Sequence, residues 1–204
     1  MHEAPLDILR SEHLSDAPAA NEIAAREVRF GDRPGSRYSR YRLTDPFMIF
    51  WFRHVRPLHS ALLGAPPGRL WTDRIEPRLD DHMGPVFERI VAEAFLRGRF
   101  LDRIGPVEQV APWWSRDGQA EIDLVVQAGQ DSKASERWYV ECKWRSDGYL
   151  DLDDLHRLRR HAERCPLGPA RLALATAGQA SPGLQSASAR EGILLLGPGD
   201  LLGA

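Results

Sequence analysis

The sequence predicts an α/β protein in which helices pack against a central mixed β-sheet. From about residue 82 onward, stretches with apolar residues at helical spacing alternate with short runs rich in β-branched and aromatic residues. The order of these segments is helix, three strands, helix, strand, helix, strand. That order, more than any single segment, indicates the fold class.

The part of the chain before residue 82 is less regular. Residues 1–20 are expected to be weakly structured apart from one short helical stretch, and residues 21–45 form a basic segment. Two strand-like runs, REVRF and YRLTD, flank a stretch whose Gly and Pro residues signal a turn. We therefore expect a β-hairpin with an arginine-rich tip. The aromatic block that follows, PFMIFWF, is expected to pack between domains.

The next segments predict the core. An amphipathic helix covers MGPVFERIVAEAFLRG, where four apolar residues recur at helical spacing: Phe87, Ile90, Val91 and Ala94. Strands are expected in GPVEQVAPWW, AEIDLVVQ, WYVECKW, ARLALATAG and GILLLG. The helix after the third strand has Asp151 as a plausible N-cap and acids in its first turn, which suits the helix dipole. A last short helix is expected in SPGLQSASAREG.

Composition limits the classes of function. With 204 residues and 43% hydrophobic content, the chain can form one globular domain with a smaller appendage. It has no apolar run long enough for a membrane span, and its first residues do not resemble a signal peptide. Its two cysteines lack the spacing of a disulfide or zinc framework. A cytoplasmic protein is expected. Because the net charge is only -2, any contact with nucleic acid must come from local patches of positive charge.

Lysine is rare in this chain. Of the 27 basic residues only Lys133 and Lys143 are lysines, and the others are arginines. Lys143 lies inside the strand WYVECKW, where a buried strand would be apolar. Because lysine supplies a compact charge with a readily shifted pKa, which arginine cannot, Lys143 is a candidate for a chemical role.

Acidic residues accompany this lysine on two neighbouring strands. Because side chains alternate across a strand, Glu141 and Lys143 share one face of theirs. On the preceding strand, Asp123 is expected on the face opposite to Ile122 and Leu124. Antiparallel pairing of the two strands can bring Asp123 beside Glu141.

Two neighbouring carboxylates repel each other unless a cation lies between them. Mg²⁺ (or Mn²⁺) prefers oxygen ligands and keeps several waters, so Asp123, Glu141 and a backbone carbonyl, that of Cys142, suffice to bind it. Lys143 could then hold or deprotonate an attacking water and offset developing negative charge. This predicts a metal site that hydrolyses a phosphodiester. The plain alternative is an ordinary ion pair between Glu141 and Lys143 on a solvated sheet edge.

A third acid lies on the preceding helix. Glu88 has no ion-pair partner three or four residues away, whereas Glu93 has Arg89 and Arg97 at four residues. Glu88 is therefore expected to border the apolar face and reach toward the sheet. The alternative is a partly exposed glutamate at the boundary of that face.

In order along the chain, these motifs resemble a known superfamily. The chain is similar to the PD-(D/E)xK nucleases in four motifs: Phe87-Glu88, Trp113-Trp114, Glu121-Ile122-Asp123 and Glu141-Cys142-Lys143-Trp144. It resembles in particular the C-terminal domain of archaeal-type P-loop ATPases, catalogued as domain of unknown function 234. The likeness runs from about Arg37 to the C-terminus. One departure is Ile122, which stands where the superfamily name has proline.

The resemblance implies a restriction-endonuclease-like core and a metal-dependent endonuclease activity on DNA. It further implies that Asp123 and Glu141 bind the metal, that Glu88 completes the acidic cluster, and that Lys143 assists the attacking water. The lysine and the three acids are therefore the predicted catalytic residues.

The resemblance also divides the chain into three parts. Residues 1–45 correspond to a partial winged-helix segment, residues 46–80 to a linker with aromatic packing, and residues 81–204 to the nuclease-like domain. The arginine-rich hairpin, with tyrosines interleaved, is the candidate DNA contact. Its candidate residues are Arg29, Arg37, Arg40 and Arg42.

An ATPase domain or subunit is the protein partner that the resemblance implies. The chain has no Walker A loop, since neither lysine follows a glycine, so it is either a C-terminal fragment or a stand-alone product. Three interpretations stay open: a nuclease, a catalytically inactive DNA-binding or regulatory module, and a partner-docking module of an ATPase system. Whether the protein forms a homo-oligomer is also open.

Overall fold

The computed structural model describes residues 23–129, 136–145 and 148–202. Its elements, in chain order, are β1 (Ala24–Glu27), β2 (Arg40–Leu43), α1 (Pro46–Phe50), α2 (His59–Leu62), α3 (Pro67–Leu70), α4 (Leu79–Leu96), α5 (Leu101–Ile104), β3 (Val107–Trp114), β4 (Glu121–Ala128), β5 (Glu136–Lys143), β6 (Tyr149–Leu150), α6 (Leu152–Glu163), β7 (Arg171–Thr176), β8 (Gln179–Ala180), α7 (Pro182–Glu191), β9 (Leu194–Leu196) and α8 (Pro198–Leu202). The helical stretch expected within residues 1–20, and most of the polar loop before β5, lie outside the described residues.

A five-stranded mixed sheet forms the centre of the molecule, in the order β3-β4-β5-β7-β9. β3, β4 and β5 pair antiparallel, whereas β5, β7 and β9 pair parallel. α4 covers one face of the sheet, and α6 and α7 cover the other. The predicted α/β class, with a central mixed sheet flanked by helices, and the predicted element order α-β-β-β-α-β are confirmed. Among the described helices, none has the length and apolarity that crossing a bilayer requires.

The apolar stripe of α4 packs on the sheet and contributes much of the core. Phe87, Val91, Ala94 and Phe95 are buried against β4 and β5, and burying a large apolar side chain stabilises the fold by about 1.5–3 kcal/mol. The predicted amphipathic helix is confirmed, although Ile90, one of the four residues that indicated it, is 37% exposed. The helical period carries the stripe through Phe95, which leaves Ile90 at its margin.

Residues 46–78 form a run of short helices with two π-helical turns, Trp51–Val55 and Trp71–Ile75. Each π turn is followed by a short 3₁₀ turn that contains a proline, Pro57 or Pro77. A proline has no N–H to donate, so the regular hydrogen-bond ladder is interrupted at each of these positions. The residue before each proline instead reaches back five residues, to the carbonyl of the tryptophan that opens the turn.

These short helices are attached to α4. Pro85 inside α4 leaves the carbonyl of Asp81 without its helical donor, and Arg53 Nη1 donates to that oxygen at 2.6 Å. Phe50 packs against the rings of His54 and His82. Other aromatic residues of the PFMIFWF block are exposed on this structure, and their packing between domains stays a prediction.

β1 and β2 pair antiparallel, which confirms the predicted hairpin. Both strands begin one or two residues earlier than expected, and β1 ends at Glu27 because the chain after it leaves the ribbon to contact the sheet. There, the N–H of Phe30 donates to the carbonyl of Pro112 at 2.7 Å, and Arg29 Nη1 donates to the carbonyl of Trp114 at 3.1 Å. The winged-helix assignment of this segment stays a prediction.

α6 begins with a capping box, which confirms the predicted N-cap. The Asp151 side chain accepts hydrogen bonds from the N–H groups of Asp153 and Asp154, and the Asp154 side chain accepts from the N–H of Asp151. We expect Asp151→Ala to lower the free energy of unfolding by about 1 kcal/mol, measured by urea denaturation. Asp153→Ala, the matched control, removes a charge but no cap and is expected to cost a few tenths of a kcal/mol. Equal losses in the two variants would contradict the capping role.

Candidate active site

A β-bulge in β4 sets the position of Asp123. On the β3 side, Ala111 pairs with Val125 and Trp113 pairs with Ile122, so three steps along β4 match only two along β3. The extra residue is accommodated around Asp123. Bulges of this kind re-aim a side chain that a regular strand would leave in alternation.

The bulge changes which residues share a face. Ile122 and Val125 are both buried in the layer between the sheet and α6, while Leu124 is buried in the layer under α4. The prediction that Ile122 and Leu124 lie on one face is therefore wrong. The period of two that predicted it does not continue through a bulge.

Asp123 lies where β4 and β5 separate. The last paired residues of the two strands are Leu124 and Val140. Beyond them, Asp123 Oδ2 accepts a hydrogen bond from the N–H of Cys142 at 2.7 Å. This contact holds the carboxylate against the backbone between Glu141 and Lys143.

The surroundings of Asp123 make its charged form unfavourable. Burial raises the pKa of Asp123 to about 8, and the nearby negative charges of Glu141 and Glu88 act in the same direction. Lys143 and the Cys142 N–H oppose this shift without cancelling it. A bound cation would relieve this crowding of carboxylates.

Glu141 and Lys143 form an ion pair, with Lys143 Nζ 2.6 Å from Glu141 Oε1. The predicted shared face of these two residues is confirmed. Glu141 is buried, whereas Lys143 is partly exposed. Burial lowers the pKa of Lys143, but the charges of Glu141 and Asp123 outweigh it and hold the pKa above its usual value. Lys143 therefore keeps its positive charge at neutral pH.

Three charged residues at this site were not among those predicted from the sequence. Arg157 Nε on α6 lies 3.4 Å from Glu141 Oε1, and the same guanidinium contacts Asp154. Arg145 Nη2 donates to both carboxylate oxygens of Asp154, at 2.9 and 3.0 Å. The spacing of Asp154 and Arg157, three residues apart on a helix, was the available signal.

Glu88 approaches from α4 and lines the same cavity as Asp123. The cavity has a volume of about 430 Å³ and lies between the β1–β2 hairpin, α4 and the strands β3 and β4. Burial raises the pKa of Glu88, and the positive charge of Arg42 is the largest influence in the other direction. The prediction that Glu88 reaches toward the sheet is confirmed.

Two of the four predicted DNA-contacting arginines have their guanidinium groups engaged within the protein. Arg40 contacts Glu27 at 2.7 Å and Glu121 at 2.8 Å, and lies 4.2 Å above the ring of Trp114. Arg29 donates to the backbone at the end of β3. Both side chains tie the hairpin to the sheet.

The guanidinium groups of the other two arginines have fewer or longer contacts with charged partners. Arg37 lies over the ring of Tyr38 in an exposed part of the hairpin. Arg42 is 37% exposed, and its nearest carboxylate is that of Glu27 at 3.5 Å. A DNA-contacting role stays a prediction for all four arginines, and this geometry favours Arg37 and Arg42.

The donor atoms at this site suit a divalent metal in kind, but they are not all free to bind one. Within the described ranges, no three His, Cys, Asp or Glu side chains are grouped closely enough to hold an ion by themselves. The carboxylates of Asp123 and Glu141 and the backbone of Cys142 are oxygen donors of the kind that Mg²⁺ prefers. Glu141 Oε1, however, is occupied by Lys143 and Arg157. The donors fit in kind, and binding requires Glu141 to exchange part of these contacts.

Three solved structures are similar to this chain at low sequence identity. A protein of unknown function, AF1548, is 19% identical, with 54% of this chain and 59% of that chain covered and a TM-score of 0.36. A repair endonuclease from Pyrococcus abyssi is 16% identical, with 54% and 46% covered and a TM-score of 0.35. The MspJI restriction endonuclease in complex with a 27-mer oligonucleotide is 18% identical, with 61% and 28% covered and a TM-score of 0.37. At this level of likeness, function must be argued from the site itself.

A curated relative also matches. The uncharacterized protein MJECL04 of Methanocaldococcus jannaschii is 27% identical over 138 residues, which are 67% of this chain and 29% of that protein. The chain therefore spans less than a third of the length of this relative.

The sequence also matches a described family over the region that carries the site. The profile of DUF234, described as "Archaea bacterial proteins of unknown function", matches residues 51–158. This range contains Glu88, Asp123, Glu141 and Lys143, and it covers more than half of the chain. As the ordered motifs predicted, the chain belongs to the DUF234 family.

Proposed function

We propose that the chain is a metal-dependent deoxyribonuclease. Its active site, formed by Asp123, Glu141 and Lys143, would hydrolyse phosphodiester bonds of DNA. One observation carries the proposal: the partly buried Asp123 carboxylate is hydrogen-bonded to the backbone between Glu141 and Lys143. A buried acid is costly unless it is compensated, and the pKa of this one is raised, not lowered. Such an acid weakens the metal-free fold, which supports a chemical role over a structural one.

The proposed roles follow from the chemistry of each group. Asp123 and Glu141, with the Cys142 carbonyl, would hold Mg²⁺ or Mn²⁺, and Glu88 would complete the negative cluster around them. A bound ion supplies Lewis acidity and lowers the pKa of a coordinated water. Lys143, which carries a positive charge, would orient the attacking water by donating a hydrogen bond and would offset charge on the phosphate.

Arginine side chains near the site support DNA as the substrate. Arg42 borders the cavity that contains Asp123, and Arg37 lies exposed on the same hairpin. Guanidinium groups bind phosphate oxygens in a two-pronged geometry, so open arginines beside a hydrolytic site suit a nucleic-acid backbone.

A second candidate is a catalytically inactive module that binds DNA or regulates a partner. The observation that favours it is the occupied state of Glu141 Oε1, which contacts Lys143 and Arg157. This function predicts DNA binding that weakens steeply with salt, without turnover. An ATPase domain or subunit as partner stays a prediction of the family resemblance.

DNA cleavage with and without metal separates the two candidates. We expect the chain to cleave plasmid, branched or single-stranded DNA in Mg²⁺ or Mn²⁺ and to lose this activity in EDTA. Asp123→Asn should reduce the rate by at least about 100-fold. Asp117→Asn is the matched control, because Asp117 is an exposed carboxylate paired with Arg164 away from the site. If the wild type binds DNA but does not cleave it, the inactive module is favoured. If Asp123→Asn cleaves DNA at the wild-type rate, the proposed site is wrong.

A further inference from the structure

The cavity that contains Asp123 is roofed by the β1–β2 hairpin. α4 forms one wall, and β3 and β4 form the floor. Access to the carboxylate from this side therefore depends on whether the hairpin is fixed or free to open.

Contacts on both sides of the sheet edge fix the roof. On one side, Phe30 follows β1 into the core, where it is 6% exposed and its N–H donates to the carbonyl of Pro112 at 2.7 Å. On the other side, Arg40 pairs with Glu121 at 2.8 Å, and Arg89 of α4 donates to the backbone just after β2. Lifting the hairpin would expose Phe30 and separate these charged contacts. These contacts hold the hairpin against the sheet and α4, and the proposal below rests on the cavity dimensions that they define.

The dimensions of the cavity limit the substrate. Its volume of about 430 Å³ lies within the range of about 300–1,000 Å³ that is typical of sites for one small ligand. A double helix, whose major groove alone is about 12 Å wide, does not enter such a space. An unpaired strand presents one nucleotide at a time and does fit.

Part of the lining suits the two chemical halves of a nucleotide. Ala92, Leu96 and Val110 provide an apolar surface that suits a sugar or base, and Arg42 provides a guanidinium for phosphate among several lining carboxylates. Asp123 lies in the same cavity, so a phosphate bound there is close to this proposed metal ligand, whereas Glu141 and Lys143 are not among the lining residues.

An aromatic side chain stands beside the roof. Tyr41 lies between Arg40 and Arg42 on β2 and is 62% exposed. Exposed aromatic rings interleaved with basic residues are typical of surfaces that bind single strands, because every base can stack on a ring.

We propose that the roofed cavity selects an unpaired strand of DNA, such as a single strand, a flap or an overhang, over intact duplex. The inference rests on the proposed nuclease function where it concerns cleavage. Strand selection itself is a property of the cavity and can be measured by binding alone.

Fluorescence anisotropy in EDTA tests the selection without cleavage. The probes are a labelled 15-nucleotide single strand and the blunt duplex of the same sequence. We expect the single strand to bind at least about 10-fold more tightly, and Arg42→Gln to reduce its slope of log K against log salt by about 0.7. Equal or tighter binding of the duplex would overturn the inference.

A cavity-filling variant shows whether the selection arises in this cavity. Leu96 lines the cavity and is 60% exposed, so Leu96→Trp can fill the space with little cost to folding. It is expected to weaken single-strand binding at least fivefold. Leu101→Trp is the matched control, since Leu101 is 52% exposed outside the cavity and its replacement should leave binding unchanged. If Leu96→Trp binds the single strand as tightly as the wild type does, the strand does not bind in this cavity.

Cleavage of the same sequences in Mn²⁺ separates this inference from the proposed function. Flap and single-stranded substrates are expected to be cut at least about 10-fold faster than the duplex. Selective binding with no cleavage overturns the nuclease and leaves strand selection standing. Cleavage of duplex and flap at equal rates overturns strand selection and leaves the nuclease standing.

Discussion

Replacing Lys143 with methionine is expected to reduce metal-dependent DNA cleavage by about 10²- to 10⁴-fold, the range typical of losing a group that acts on a proton or charge in the transition state. Lys143 Nζ contacts Glu141 and carries a positive charge next to Asp123. Methionine keeps the unbranched side chain while removing the charge and the donor. The measurement is the initial rate on a labelled oligonucleotide at saturating Mn²⁺.

The control for this variant is Arg164→Met, which removes one positive charge from an exposed pair with Asp117 on the far end of α6. Its rate should equal that of the wild type. Because Lys143 is charged at neutral pH, we expect the ratio of wild-type to Lys143→Met rates to stay constant between about pH 6 and 8. A ratio that rises with pH would show that the lysine acts as a base, and a wild-type rate in Lys143→Met would remove the residue from the mechanism.

Asp123→Asn is expected to make the metal-free protein more stable than the wild type at alkaline pH. An unfolded aspartate titrates near its ordinary pKa of about 3.9, whereas the pKa of folded Asp123 is about 8. Between these values the native state holds a proton that the unfolded chain has released, so the free energy of unfolding falls as the pH rises. Asparagine has no such titration, and its side-chain oxygen can still accept the hydrogen bond from Cys142 N–H. Thermal unfolding in EDTA should give similar midpoints for both proteins at pH 5. At pH 9 the unfolding midpoint of Asp123→Asn should be several degrees higher than that of the wild type. In a protein of this size, each kcal/mol of added stability raises the midpoint by about 2–4 °C.

Two comparisons make this stability measurement specific. Asp117 has a lowered pKa, because its side chain accepts hydrogen bonds from Ser115 and Gln119, so Asp117→Asn should lose stability above pH 4. Adding Mn²⁺ at pH 9 should raise the midpoint of the wild type but not that of Asp123→Asn, since an ion stabilises only the state that binds it. Parallel pH curves for wild type and Asp123→Asn would contradict the raised pKa. Equal Mn²⁺ effects would contradict the metal site.

The order of the core elements along the chain could be predicted because each carries its own periodic signal. The alternation in β5 put Glu141 and Lys143 on one face, and the 2.6 Å contact confirms it. The N-cap of α6 was readable because Asp151 directly precedes an amphipathic run. These features depend on short-range sequence, which is why they could be found without coordinates.

The bulge at Asp123 and the reach of Arg157 to Glu141 could not be predicted in the same way. A bulge is a property of the register between two strands. The sequence of β4 alone suggests regular alternation, and the bulge arises only from the pairing of β4 with β3. Arg157 lies 16 positions after Glu141 and meets it only when α6 docks on the sheet. Local periodicity contains no information about that docking.

The segment between the hairpin and α4 was interpreted, from the family resemblance, as a linker with aromatic packing. The structure carries helical turns through Pro57 and Pro77 by means of five-residue hydrogen bonds to Trp51 and Trp71. The prolines change the type of turn without ending the helical run. β1 ends early for a tertiary reason, the burial of Phe30 beside β3.

The bulge in β4 has a consequence for how the protein can fail. Ile122 is anchored in one hydrophobic layer and Leu124 in the other, so the acid between them keeps its aim only while both layers are intact. A substitution that weakens the core on either side of the sheet, even one remote from the proposed catalytic groups, is expected to reduce the proposed activity at temperatures below global unfolding. The rate of the proposed cleavage should therefore report on the packing of both hydrophobic layers.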